Sequence, residues 1–128
     1  MIKSVMSVLL LGATCSGALA MTFSNAGENL LYLQHAKVSV EYCEQRGFKV
    51  QPAMQVWQDK HRPLFTEALR VIRLEGQKRG LSPAEQDDIV AEALVNHRSA
   101  SEKHVARKGV DCRNFAGVLA MYDALVKR

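Results

Sequence analysis

The chain has 128 residues, 48% of them apolar, with 17 Lys and Arg against 13 Asp and Glu. That length holds one domain. The net charge of +4 is mild and its basic residues are dispersed, which excludes the basic stripe of a nucleic-acid binder.

The first twenty residues read as a processing signal. Lys3 supplies a positive start, residues 5–11 are an apolar run broken by Ser7, and Ala18-Leu19-Ala20 fits the small-x-small site of signal peptidase. The run is shorter than the roughly 20 residues of a transmembrane helix. Cleavage is expected after Ala20, leaving residues 21–128 as a single helical domain in the periplasm or outside the cell. Cys15 follows Gly12-Ala13-Thr14 and lacks the large aliphatic residue of a lipoprotein signal, so it is expected to leave with the leader. Cys43 and Cys112 then remain, and two cysteines in an exported chain predict a disulfide.

The first helix is expected from a cap at Ser24 or Asn25 to Arg46, with Gly47 as its stop. Leu30, Leu33, Val40 and Cys43 mark its inner stripe. Pro52 suits the first turn of a second helix, on which Ala53, Val56 and Trp57 face one way. Pro63 predicts a kink or a tight break near Lys60. A third helix follows over residues 64–79, with Leu64, Ala68, Val71 and Ile72 as its stripe and Gly80 as its end.

Ser82-Pro83-Ala84-Glu85 is the sharpest local signal: an N-cap, a proline at the first helical position and a capping-box glutamate. The fourth helix is expected over residues 83–108, stopped by Gly109. Its stripe is good at Ile89, Val90, Ala93 and Leu94 and weak after Val95. The second half is therefore expected to project, fray or lie on the surface. Asp111 should cap a fifth helix whose Cys112, Phe115, Ala116, Leu119, Tyr122 and Val126 share a face. No segment alternates with the two-residue period of a strand.

These elements predict an all-α fold: a small up-and-down bundle of four to five helices stapled by one disulfide. Helices one and five must then lie side by side, with the Cα atoms of Cys43 and Cys112 within about 7 Å. Leu33 or Val40 should share a core with Phe115 and Leu119.

The chemistry-bearing residues are sparse. His97 and His104 are seven apart, roughly 10 Å along a helix, too far to hold one ion together. No His-Glu-x-x-His is present, and His35, His61, His97 and His104 are expected as partly exposed surface residues without a metal. There is no Cys-x-x-Cys-His, no Cys-x-x-Cys, no Gly-x-Ser-x-Gly and no phosphate-binding glycine loop. No catalytic residue and no cofactor are expected. Trp57-x-x-x-His61-Arg62, beside the predicted helix break, has two readings. Trp57 is a core anchor with its N–H bonded nearby, or Trp57, His61 and Arg62 form a binding surface.

The export signal, Tyr42-Cys43, Trp57-x-x-x-His61-Arg62 and Cys112-x-x-Phe115 together resemble the small, two-cysteine, all-helical exported proteins of Gram-negative bacteria. Periplasmic immunity proteins against secreted toxins have a similar size and build. The resemblance implies an exported helical domain and transfers no catalytic residue. The expected function is non-enzymatic: a protein-binding module of inhibitor, immunity or envelope-adaptor type, with another exported or envelope protein as partner. The alternative is a small-ligand or metal-binding bundle using the Trp57 region and the histidines. A small hydrolase finds no nucleophile–base pair in the sequence.

Overall fold

The computed structural model describes residues 21–128. The expected leader, with its cleavage site and Cys15, lies outside the described residues.

Helix α1 spans Phe23–Glu44. Its cap is Thr22, two or three residues earlier than expected, whose Oγ1 accepts the Asn25 N–H at 3.0 Å. The expected stripe of Leu30, Leu33, Val40 and Cys43 is buried, and so are Asn29, Gln34, Val38 and Ser39 on other faces. A helix buried nearly all round is a central helix, and α1 touches every other element. The turn after it closes at Gly47, whose φ of 85° suits glycine.

Helix α2 spans Gln51–Lys60 and α3 spans Arg62–Lys78. No side chain of its own caps α2. Instead Glu44 reaches over from the end of α1, and its Oε1 accepts the N–H groups of Val50 and Gln51, both at 2.8 Å. Pro63 offers no N–H to the carbonyl four residues back, so the helix breaks at the single residue His61, with φ −97° and ψ 6°. Across this break α2 and α3 run back antiparallel to α1: Val50 and Met54 pack near Cys43, while Arg79 lies over the Phe23 ring.

Helix α4 spans Pro83–Lys108, and both halves of its capping box are made, at 3.2 and 3.1 Å. It runs parallel to α1, from Val90 packed near Ala26 to Gly109 beside the Tyr42 hydroxyl. Its second half neither projects nor frays. Ser101 and Val105 are buried against α1. The stripe looks weak in sequence because the opposing face of α1 is itself polar there, at His35 and Ser39.

The fifth helix also departs from expectation. Asp111 caps only a 3-10 turn, Cys112–Asn114, and Asn114 then caps α5, Phe115–Leu125, by accepting the Gly117 N–H at 3.2 Å. A Cβ at 117 would sit 2.5 Å from the Asn114 amide, so a larger residue there must displace the capping side chain. Cys43 and Cys112 are bonded, with Cα atoms 5.4 Å apart. Leu33, Val40, Phe115 and Leu119 share one core, as the helix order requires.

The result is an up-and-down bundle: α1, the broken column α2–α3, α4, then α5. A second, smaller core lies at the opposite pole, where Ala26 and Leu30 meet Ala68, Ile72 and Val90. Among the described residues there is no strand, and no helix is long and apolar enough to cross a membrane.

Candidate functional site

The bundle does not close evenly at the disulfide pole. Helix α5 packs on α1 and α2, and α4 packs on α1 and α3, but α4 and α5 scarcely meet. Between them lies a groove of about 480 Å³. Val105 and Lys108 line it from α4, and Val118 and Met121 from α5. Val110, Asp111 and Asn114 close the end nearest the disulfide, and Ser39, His104 and Tyr122 form the floor. Met121 is half exposed at the mouth.

A polar network lies under this floor. Ser39 Oγ donates to the His35 carbonyl at 2.7 Å. Its single hydrogen is thereby used, so the Tyr122 hydroxyl must donate to Ser39, across a long 3.5 Å. Ser101 Oγ likewise donates to the His97 carbonyl at 2.7 Å. His35 Nδ1, 2.6 Å from Ser101 Oγ, is therefore the donor of that pair. A protonated Nδ1 cannot act as base toward Ser101, and Ser101 is fully buried, so this contact is structural and not a nucleophile–base pair. The His35 ring stacks on His104, with centroids 4.7 Å apart and planes 10° off parallel. Burial first, then the positive fields of His104 and His97, push His35 down to about 4. Burial also lowers His97, partly offset by the Gly27 backbone beside it.

The structure divides the residues singled out in the sequence. Trp57 is buried among His61 and Phe65, at centroid distances of 4.8 and 5.7 Å. Its expected N–H partner is absent: Nε1 is buried with no hydrogen bond among the described residues. His61, expected on the surface, is buried at the break, where its Nε2 meets the Asp123 carboxylate of α5. That hydrogen bond, and then Lys60, hold Asp123 below the usual carboxylate range. Arg62 is exposed and paired with Asp59. Trp57 and His61 thus come together while Arg62 stays apart, and Trp57 borders only a shallower cleft with Ala53, Val56 and Ala116. His35, His97 and His104 are half-buried. No group of three or more His, Cys, Asp or Glu is placed to hold a metal ion among the described residues.

The α4–α5 groove was missed in the sequence. Its parts come from three helices, and the one available signal was that Ser101 and His104 recur on the weak face of α4 near the spacing of buried residues. Comparison with protein-family models, with curated proteins and with solved structures finds no match.

Proposed function

We propose that this chain is an exported protein-binding module, periplasmic or secreted after cleavage near Ala20. Its groove between α4 and α5 takes an apolar side chain or short apolar segment of another exported or envelope protein. One observation carries this reading: the bundle leaves a seam open beside its most constrained pole. Valine and methionine walls supply apolar area, and the three floor groups supply a few fixed polar contacts. The disulfide and the double cap at Asp111 and Asn114 hold the seam's shape in advance, which lowers the ordering cost of binding. An inhibitor, immunity or adaptor role fits a groove held in this way.

Val118→Arg fills the groove with charge, whereas Val95→Arg changes an exposed site on α4 away from it. A partner recovered from periplasmic extract by the oxidised protein should be lost with the first variant and kept with the second. Equal recovery with both variants contradicts the reading.

The groove's volume of about 480 Å³ also lies within the range of small-molecule sites. That favours the alternative of a small apolar ligand bearing one or two polar groups. Native mass spectrometry of the purified protein distinguishes the two: the alternative requires a constant added mass that Val118→Arg removes.

A further inference from the structure

We propose that the His35–His104 stack makes the floor of the α4–α5 groove sensitive to protons, so that acid displaces His104 and releases the occupant of the groove. This rests on the reading of the groove as a binding site and adds its regulation.

The two rings are parallel and 4.7 Å apart, between α1 and α4. One charge on such a pair is tolerable, because the other ring stays neutral. Two charges repel strongly in a partly desolvated seam. The groups in contact with the two rings carry no negative charge; Asp111, the carboxylate that lines the groove, lies at the end nearest the disulfide, where its Oδ1 accepts the Asn114 N–H. From α1, Tyr32 meets His35 edge-on at 6.4 Å. From α4 come His97 and Ser101, and from α5 comes Tyr122, whose ring is 6.1 Å from His35. Lys108 lines the same groove as His104 and adds positive charge. Glu41 of α1 and Glu102 of α4 are engaged by Arg98. Burial first, and then the neighbouring histidines, hold His35 down to about 4.

The pair is not symmetric. His35 is fixed twice: its Nδ1–H is bonded to Ser101, and its carbonyl is bonded to Ser39. Protonation leaves both bonds intact, since Nδ1 is already a donor. No side-chain hydrogen bond ties down His104 among the described residues, and His104 is the ring that lines the groove. Repulsion therefore moves His104, and the groove changes shape while His35 stays in place. The Arg98 guanidinium, bridging Glu41 of α1 and Glu102 of α4, keeps the two helices together meanwhile.

The test is an NMR titration of the oxidised protein from neutral pH to about pH 4, following the imidazoles and the methyl groups of Val105, Val118 and Met121. In the wild type the methyl signals should move with the second imidazole protonation. Amides of residues 101–108 should lose up to about tenfold in exchange protection for each pH unit as pH falls from 6.5 toward about 4, a factor of ten being one unit of coupled proton binding. Amides near Val90 should hold. His104→Phe and His35→Phe each keep an aromatic stack with at most one charge, and both should leave the methyl signals insensitive to pH. Imidazoles that titrate while the groove methyls stay still overturn the proposal. So does the same methyl response in either phenylalanine variant. Failure of the groove as a binding site shows separately, at neutral pH, as indifference of partner recovery to Val118→Arg.

Discussion

Asn29 and Lys127 exchange two hydrogen bonds: Asn29 Nδ2 donates to the Lys127 carbonyl at 2.7 Å, and the Lys127 N–H donates to Asn29 Oδ1 at 2.6 Å. A fully buried amide on the central helix thus holds the chain's C-terminal segment as a neighbouring strand would, and Val126 is buried beside it. Replacing Asn29 with Leu leaves a backbone donor and acceptor of Lys127 without partners in a part-buried place. The cost should be about 1–3 kcal/mol per unpaired group, less whatever water recovers. Urea unfolding measures it, and exchange at Lys127 should rise in the same variant.

The disulfide ties the end of α1 to the 3-10 turn that leads into α5, across 69 residues of chain. Its reduction should lower stability by roughly 2–5 kcal/mol. Urea midpoints with and without reductant measure the loss, and Cys43→Ala with Cys112→Ala should reproduce it.

Asp123 joins α5 to the break between α2 and α3 through buried His61 and exposed Lys60. Asp123→Asn removes the charge that holds His61, and the thermal midpoint should fall. Lys60→Ala should change it far less, because that pair is solvated. Equal effects would show that the exposed lysine, not the buried histidine, is the essential partner.

His35 makes stability depend on pH. Its value near 4 in the folded chain is below its ordinary 6.5, so between these the unfolded chain binds the extra proton. Its contribution is complete above pH 6.5 and is lost as pH falls toward about 4. For a half-exposed ring the loss, after solvent screening, is on the order of 1 kcal/mol. Urea midpoints at pH 7 and 5 should differ in this sense for the wild type and converge in His35→Phe. Glu41, Glu67, Glu85 and Asp123 are all held low and lose their contributions only at more acid pH, as they take up protons.

The capping box that opens α4 was the most legible part of the sequence. Ser82 and Glu85 act on backbone groups within three residues, so no tertiary knowledge is needed to place them. The disulfide followed from only two cysteines being left to pair if the expected leader is set aside. The second half of α4 was misread because an apolar stripe is a rule for packing against apolar neighbours. Ser101 is buried by a histidine from a helix 66 residues away, and that partnership has no local signature. The expected stripe of α1 is buried but is only part of what the helix buries, for a related reason: a central helix has several inner faces. His61 was placed on the surface because its burial depends on where Pro63 breaks the helix and on Asp123 meeting it there. The groove is a gap between elements, and a gap leaves no mark on either sequence segment alone.

The central claim is that the open seam between α4 and α5 is where this protein meets its partner. A photo-crosslinking amino acid placed at Met121, in the groove mouth, tests it in intact cells. A discrete adduct should form from position 121, disappear when Val118→Arg is added, and be absent from the same probe at Val95. Adducts of equal yield from 95 and 121, or an adduct at 121 that survives Val118→Arg, would contradict it.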